Sequence, residues 1–329
     1  MDIIYSHSHC PDGFVAAMIA KRRYPEAEVI FLDHGADHTE NLKKAEGKRV
    51  LMLDFSLRTR EENDALAASA KLLRILDHHK SAREVLEGAS YATFDMTRSG
   101  AGLAWDYLFG YEDFRWGQWD DPLFIGKELS APRPWYVNYV EDRDLWNWKL
   151  ENSREVCAYL GTLEFEFEKW EFLDKIDPYT AFLRGTGAKA HIDHYVREAV
   201  KQVQFGELDG NFVGVLNVPY LNCSEIGMEI AKAAHIMANA ITSAGSYSLT
   251  WFERGDGIIQ FSLRSIGSFD VSAVAKKYGG GGHLNAAGFQ VSLAEGRRLV
   301  DVILGREVKP TMLDLLPSVI ENINGKCVK

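Results

Sequence analysis

The sequence predicts an α/β protein: an N-terminal domain built on a parallel sheet and a smaller C-terminal α/β domain, joined by a helical linker. Short apolar runs alternate with helical patterns over residues 2–79. These runs are apolar throughout, which is typical of parallel strands covered on both faces. A long polar helical pattern over 186–206 then separates residues 1–185 from residues 207–329.

In the first domain, strands and helices are predicted in alternation. The strands are 2–6, 27–34, 48–56 and 71–79, and the helices are 12–24 and 60–70. Residues 99–185 are helical and aromatic, with six of the eight tryptophans within 105–148, which favours an aromatic core between helices. Polar residues follow the carboxyl ends of the strands, where open α/β sheets place their binding sites.

In the second domain, a strand at 211–218 precedes a helix at 224–234. Residues 247–265 predict a hairpin, because an Asp-Gly pair lies between two apolar runs. Residues 269–292 contain a helix that ends at a run of glycines, and 294–305 form a further helix. The second domain is therefore expected to be a separate, smaller α/β unit.

Composition excludes several classes of protein. The formal net charge of −10 and the pI near 5.5 argue against non-specific binding to long nucleic acid, including long duplexes, which needs a broad cationic surface. A short anionic substrate in a local pocket remains compatible. The four cysteines form no CxxC pair, which indicates a reducing compartment. With neither a signal peptide nor a long apolar run, we expect a cytoplasmic protein without membrane contact.

Carboxylates and imidazoles follow three of the predicted strands. They are His7, His9, Asp12, Asp54, Asp77, His78 and His79, and the helical segment beyond adds Asp142 and Asp144. Because neighbouring parallel strands lie about 4.8 Å apart, groups at their ends can share one small volume. Several carboxylates there would repel one another unless cations neutralise them.

Mixed His and Asp ligands suit Mn²⁺, and Mg²⁺ less well. We therefore expect two Mn²⁺ ions, with Mg²⁺ as the alternative, in a hydrolytic site where a hydroxide attacks phosphorus. Each of these residues could instead have a purely structural role, since a lone Asp at a strand end is often a helix N-cap or a turn residue. Other histidines are expected to have no catalytic role: His34, His38, His191, His194 and His235.

Three motifs together resemble the DHH phosphoesterases that carry a C-terminal DHHA1 domain. They are "LDFS" at 53–56, "LDHH" at 76–79 and "GGGGHLNAAGF" at 279–289. That group includes RecJ-like exonucleases, oligoribonucleases, pAp phosphatases and cyclic-dinucleotide phosphodiesterases. The resemblance implies that 1–185 is the metal-binding catalytic domain and 207–329 the substrate-binding DHHA1 domain.

The resemblance also implies roles for individual residues. The implied metal ligands are His7, Asp12, Asp54, His78 and Asp142, with His9 and Asp144 as alternatives. Asp54 would bridge both ions. His79 would face the substrate phosphate, and Asp77 would orient its neighbours.

The first motif departs from the family pattern. The commonest form is His-x-x-x-Asp-x-Asp, whereas here the spacing from His7 to Asp12 is one residue longer and Phe14 stands at the second Asp. One ion would therefore lack a protein ligand. It would be bound more weakly, or water, His9 or the substrate would complete its coordination shell. The related form "HxxCxDGFxAA" is interpreted as a subgroup pattern, and activity is expected to survive.

Substrate binding is expected from two regions. Glycines such as Gly280, Gly281 and Gly282 allow backbone N–H groups to approach an anion ahead of a helix N-terminus, and His283 would donate to it. Arg264 and Ser265 resemble the family's substrate-binding pair. Arg98 and Ser99 are further candidates, although an N-cap role for Ser99 fits as well.

The expected activity is Mn²⁺-dependent phosphodiester hydrolysis of short oligonucleotides or of linear or cyclic dinucleotides. The alternative is a phosphomonoesterase on nucleotides such as pAp, or an exopolyphosphatase. Neither needs base stacking, for which Tyr136, Tyr139 and Trp146 are candidates. A non-catalytic nucleotide-binding regulator is a third reading, and a homodimer is left open.

Overall fold

Five parallel strands form the sheet of the first unit, in the order β2-β1-β3-β4-β5. This computed structural model describes residues 1–109, 132–241 and 245–306. The strands are β1 (Ile3–His7), β2 (Glu28–Leu32), β3 (Arg49–Leu53), β4 (Leu72–Asp77) and β5 (Ala92–Phe94). The predicted parallel sheet is confirmed. The sequence analysis missed β5, which has only three residues and no apolar run of its own.

Helices surround this sheet. They are α1 (Pro11–Arg23), α2 (Thr39–Lys43), α3 (Arg60–Ser69), α4 (Lys80–Val85), α5 (Gly100–Phe109), α6 (Trp135–Asp144), α7 (Ser153–Leu160), α8 (Phe167–Glu171) with a 3₁₀ turn at Phe172–Lys175, and α9 (Pro178–Val200). The capping signals agree with the sequence: Thr59 and Glu62 form a capping box at the start of α3. No helix in the described ranges combines the length and the apolar character needed to cross a bilayer.

Successive strand residues face opposite sides of the sheet and enter two different apolar clusters. Ile4, Leu51 and Leu53 pack with α1, α5 and α6. Ile3 and Met52 pack on the other side. Both faces of the sheet are therefore buried, which is why the strands read as unbroken apolar runs.

The chain divides into two compact units within α9, the first being Met1–Tyr195 and the second starting at Val196. The predicted linker at 186–206 is mostly this helix, which begins earlier, at Pro178, and ends at Val200. The end of the predicted linker belongs to a strand that starts at Gln204.

The second unit contains a mixed six-stranded sheet in the order β10-β11-β9-β8-β7-β6. Its strands are β6 (Gln204–Leu208), β7 (Asn211–Asn217), β8 (Ser246–Glu253), β9 (Ile258–Ser265), β10 (Gly281–His283) and β11 (Ala286–Ser292), and its helices are α10 (Cys223–Ile241), α11 (Val271–Lys276) and α12 (Leu293–Ile303). The predicted β8–β9 hairpin is present. Only β7 and β8 pair in parallel among the described strands of this sheet.

The glycine run does not precede a helix, so that expectation was wrong. Gly281 and Gly282 lie in β10, which pairs with β11 in antiparallel register. A Cβ on Gly280 would lie 2.1 Å from the carbonyl oxygen of Gly288, and Gly282 has a φ of +140°. The glycines are thus explained by a close backbone approach between two strands.

Alanine substitutions at two glycines of α9 are expected to change stability in opposite directions. A Cβ on buried Gly185 would lie 1.8 Å from the carbonyl oxygen of Glu155, whereas one on exposed Gly187 meets nothing within 4 Å. Gly187→Ala should raise the free energy of unfolding by about 0.5–1 kcal/mol because alanine restricts the unfolded chain. Gly185→Ala should lower it by about 1–3 kcal/mol. Chemical denaturation of both variants tests this, and equal shifts would contradict the packing of α9 against α7.

Candidate metal centre

The ends of three neighbouring strands carry the polar cluster. Ser6 pairs with Leu53, and Leu53 pairs with Leu76, so β1, β3 and β4 end side by side. His7 ends β1, Asp54 directly follows β3 and Asp77 ends β4. The structure therefore brings these side chains to one edge of the sheet.

Asp54 lies at the centre of the cluster. Its Oδ1 is 3.1 Å from Nε2 of His78, and its Oδ2 is 3.4 Å from Nδ1 of His7. Its backbone has a φ of +53°, a conformation that aspartate tolerates better than most residues. The carboxylate is buried, and its two oxygens face two different groups of donors.

The first group, called here the His78 group, consists of His78, Asp12, Asp144 and Oδ1 of Asp54. Nε2 of His78 lies 3.6 Å from Oδ2 of Asp12 and 3.5 Å from Oδ2 of Asp144. Ligand atoms of Asp12, Asp54 and His78 lie within 4.8 Å of one another. Three carboxylates thus converge on one imidazole nitrogen.

The second group, called here the His7 group, consists of His7, Cys10 and Oδ2 of Asp54. Sγ of Cys10 lies 3.3 Å from Nδ1 of His7 and 3.5 Å from Oδ2 of Asp54. These three ligand atoms also lie within 4.8 Å of one another. The two groups share only Asp54.

Asp12 is held by the start of a helix. Its two oxygens accept hydrogen bonds from the backbone N–H groups of Gly100 (2.6 Å) and Ala101 (2.9 Å) at the N-terminus of α5. Ser99 caps the same helix, because its Oγ accepts from the N–H of Gly102 at 3.1 Å. Each oxygen of Asp12 keeps a further lone pair for a cation.

Gly100 has no room for a side chain beside this cluster. A Cβ there would lie 2.5 Å from Cβ of Asp54. Gly100→Ala should displace Asp54 or α5, lower the free energy of unfolding by about 1–3 kcal/mol and weaken Mn²⁺ binding. Calorimetric Mn²⁺ titration checks the second effect, with Gly187→Ala as the matched control; unchanged Mn²⁺ affinity in Gly100→Ala would contradict it.

Asp77 orients the two histidines that follow it. Its Oδ1 accepts from the backbone N–H groups of His78 (2.7 Å) and His79 (3.1 Å), and it lies 2.7 Å from Nδ1 of His79. Its Oδ2 accepts from Oγ of Ser56 at 2.6 Å. Because Nδ1 of His79 is directed to Asp77, the orientation of the imidazole ring is fixed.

The crowding of charges shifts the pKa values of buried groups. Burial, followed by the charges of Asp144 and Asp54, raises the pKa of Asp12 well above its usual value. Burial opposes ionisation of Asp54 too, but hydrogen bonds from His7 and His78 hold its pKa well below the usual range. Burial disfavours a charged His78, yet the neighbouring carboxylates raise its pKa well above 6.5. Without cations, protons on the imidazoles compensate the carboxylates.

Asp142 does not join the cluster, and the structure favours Asp144 instead. The buried carboxylate of Asp142 accepts from the N–H groups of Lys149 (2.9 Å) and Leu150 (3.2 Å) and from Oγ of Ser153 (2.6 Å). It therefore ties the segment after α6 to α7. Asp144, two residues along, faces a different side of the helix and approaches His78.

Three other candidates of the first unit, His9, Arg98 and Ser99, belong to neither group. His9 is exposed, with Nε2 3.6 Å from Asp33. The guanidinium of Arg98 forms ion pairs with Asp106 and Glu141, and Ser99 is a buried N-cap. Both residues therefore have structural partners in α5 and α6.

The aromatic candidates for base stacking are mostly unsuitable. Tyr136 and Tyr139 are buried, and their hydroxyls donate to Asp174 and to the carbonyl of Glu151. The expectation that these two tyrosines are available for stacking was wrong. Trp146 is half-buried, 5.0 Å from the ring of Trp148.

Within the second unit, Arg264 and Ser265 end β9. Nη2 of Arg264 donates to Oγ of Ser224 at 2.7 Å, and Oγ of Ser265 donates to the carbonyl of Phe269 at 2.7 Å. Gly280 precedes β10, and Gly281, Gly282 and His283 form that strand. Arg264 and His283 are each half-buried, whereas Ser265 is buried.

Two further residues of the first unit, His34 and Cys10, lie beside the cluster, which was not expected from the sequence. His34, predicted to have no role, has its ring 5.1 Å from that of His7 and stacks on Phe55 at 4.5 Å. His34 and Phe55 line a cavity of about 640 Å³, together with Arg58. Cys10 was not considered as a ligand, although its spacing of three residues from His7 was a usable signal.

The donor set fits divalent cations. In both groups, carboxylate oxygens and imidazole nitrogens lie close enough together to contact one cation. Burial, followed by the charges of Asp144 and Asp54, raises the pKa of Asp12, and a bound cation would favour its ionised form. The His78 group could hold one ion and the His7 group a second, with Asp54 common to both.

Comparison with known proteins finds a family match in the second unit. Residues 224–306 match the family model of the DHHA1 domain. Together with the LDHH cluster on a parallel sheet, this match places the chain in the DHH family of phosphoesterases with a C-terminal DHHA1 domain.

The chain is similar to two curated proteins over most of its length. It is 27% identical over 316 residues to the uncharacterized protein R106 of Acanthamoeba polyphaga mimivirus, covering 90% of this chain and 69% of that protein. It is 23% identical over 319 residues to oligoribonuclease NrnB of Bacillus subtilis (strain 168), covering 88% of this chain and 72% of that protein.

Among solved structures, RecJ of Thermus thermophilus in complex with Mn²⁺ has a similar fold. The TM-score is 0.50 at 15% identity, covering 97% of this chain and 56% of RecJ. The α/β fold predicted for both domains is thereby confirmed.

Proposed function

We propose that this protein is a divalent-metal-dependent phosphodiesterase that cleaves short oligonucleotides or dinucleotides, with Mn²⁺ as the preferred ion and Mg²⁺ as the alternative. The observation that carries the proposal is the position of Asp54, whose two oxygens face two separate donor groups. One carboxylate between two ion sites is the arrangement of two-metal phosphoryl-transfer enzymes. The similarity to an oligoribonuclease supports a nucleotide substrate.

In this proposal, Asp12, His78, Asp144 and Asp54 would hold one ion, and His7 and Asp54 would hold the other. Bound divalent ions would supply Lewis acidity and charge neutralisation to a phosphoryl group. Asp12 is preorganised for this task because α5 fixes its carboxylate.

His79 and Asp77 act on the substrate side of the site. The ring of His79, held through Nδ1 by Oδ1 of Asp77 at 2.7 Å, would present Nε2 to a phosphoryl oxygen. Asp77 holds the ring in this orientation through its own contact with Ser56. The pair would stabilise negative charge that develops on the phosphoryl group.

The remaining parts of the substrate would be recognised by aromatic rings and by a few cationic side chains. The cavity beside the cluster offers the stacked rings of His34 and Phe55, which suit a nucleobase. In the second unit, Arg264 and His283 are the proposed anion-binding side chains, with the backbone of Gly280, Gly281 and Gly282. The net charge of −10 disfavours long polymers.

A panel of defined substrates tests the proposal. Turnover with Mn²⁺ and with Mg²⁺ is measured on dinucleotides, a ladder of oligonucleotides, cyclic dinucleotides, pAp and polyphosphate. We expect the highest turnover on the shortest diesters, with a decline as length grows. Preference for pAp or polyphosphate would contradict a diesterase, and tight dinucleotide binding without product would contradict an enzyme.

A further inference from the structure

The His7 group contains one carboxylate, that of Asp54, and Phe14 adds no ligand atom to it. Phe14 is 2% exposed and lies 5.8 Å from the ring of Phe31, 5.1 Å from Phe167 and 5.4 Å from Trp170. The side chain therefore belongs to the aromatic core. Without Cys10, only His7 and Asp54 would remain in this group.

Cys10 has the position that a third ligand needs. Its Sγ lies 3.3 Å from Nδ1 of His7 and 3.5 Å from Oδ2 of Asp54, and a single point can be within bonding reach of all three atoms. Distances of this size between donors are those of adjacent corners in a coordination sphere with bonds of about 2.0–2.3 Å.

The backbone fixes this position. Cys10 is the N-cap of α1, and its Sγ accepts from the N–H of Gly13 at 3.2 Å. A Cβ on Gly13 would lie 2.3 Å from the carbonyl oxygen of His7, so the start of α1 is held close to the end of β1. The thiol is thus directed to His7 by the fold.

We propose that Cys10 is a thiolate ligand of the second metal ion, bound with His7 and Asp54. This inference rests on the proposed function, because it takes the two-ion site as given. On binding, the thiol proton passes to solvent and a sulfur–metal bond forms. A thiolate shifts the preference of this position towards Co²⁺ and Zn²⁺ and away from Mg²⁺.

A purely structural role for Cys10 as N-cap is the competing explanation, and one substitution separates the two. Serine caps helices at least as well as cysteine, so Cys10→Ser keeps the cap and removes the sulfur. If Cys10 only caps α1, the variant should bind metals as the original protein does.

The experiment is a Co²⁺ titration of the metal-free full-length chain, followed by absorption spectroscopy. We expect visible d–d bands together with a thiolate-to-cobalt charge-transfer band in the near ultraviolet. Cys10→Ser should lose the charge-transfer band, keep d–d bands from the His78 group and bind Co²⁺ at the second position about 10-fold more weakly or worse. Cys223→Ser, which alters a half-buried cysteine of the second unit, is the matched control and should keep the band.

Three results would overturn the inference. A charge-transfer band that persists in Cys10→Ser assigns the sulfur to another cysteine. Bound Co²⁺ without such a band in the original protein removes Cys10 as a ligand while the two-ion proposal stands. Failure of Co²⁺ and Mn²⁺ to bind at all would overturn both this inference and the proposed function.

Discussion

Replacing Asp54 with asparagine is expected to lower Mn²⁺-dependent turnover of dinucleotides by about 10³-fold or more. Asparagine has the same shape and tolerates the left-handed φ of +53°, so the backbone should remain in place. The neutral amide cannot share a negative charge between the His78 group and the His7 group. Loss of about 4 kcal/mol of transition-state stabilisation corresponds to that factor.

Steady-state kinetics and thermal melting test this prediction together. The original protein should gain about 2.7 kcal/mol of stability at an Mn²⁺ concentration 100 times its Kd, and Asp54→Asn should gain much less. Asp64→Asn, at an exposed position of α3 that pairs with Arg60, is the control and should keep both properties. Turnover of Asp54→Asn at the original rate would exclude Asp54 from the site.

The second prediction with a large effect distinguishes the roles of Asp142 and Asp144, two aspartates on α6. Asp142→Ala should lower the free energy of unfolding by about 2–3 kcal/mol, because one buried and two partly buried hydrogen-bond donors lose their acceptor. Asp144→Ala should leave stability nearly unchanged, since its carboxylate is 31% exposed and lies among other acids. Its turnover should fall by about 10²-fold or more, because the His78 group loses an anionic ligand.

Denaturation curves and Mn²⁺ titrations of both variants decide the assignment. Folded Asp142→Ala, assayed well below its melting temperature, should still bind Mn²⁺. The opposite pattern, with loss of Mn²⁺ binding in Asp142→Ala and normal binding in Asp144→Ala, would return the ligand to Asp142.

The sheet and the position of the site were predictable because they depend on strong, repeated signals. Ile3 to Ser6, Val50 to Leu53 and Leu73 to Leu76 are nearly unbroken apolar runs, as strands buried on both faces require. His7, Asp54 and Asp77 each come at or just after the end of such a run. Parallel pairing then brings them to one edge without further information.

The side of an element on which a single side chain lies was not predictable from the sequence. Asp142 and Asp144 differ by two positions on a helix, a rotation of about 200°, and sequence alone does not show which side of α6 faces the sheet. His34 lies in an irregular segment after β2, where no periodicity indicates its neighbours. The strand pair β10–β11 was missed because the glycines were interpreted as an anion-binding segment between two helices, whereas they permit two strands to approach closely.

The proposed ligands come from β1 and α1, the ends of β3 and β4, and the end of α6. Apolar clusters on both faces of the sheet connect these segments without help from any ion. During synthesis, therefore, the His7 group is complete only when Asp54 has met His7 and Cys10, and the His78 group is complete only when Asp144 has joined Asp12, Asp54 and His78. Metal loading would be the last event of maturation, unlike in zinc fingers, where it drives folding. Removal of the metal with a chelator should then leave a folded apoprotein. The ion that this apoprotein binds afterwards would depend on which divalent metal is most abundant around it.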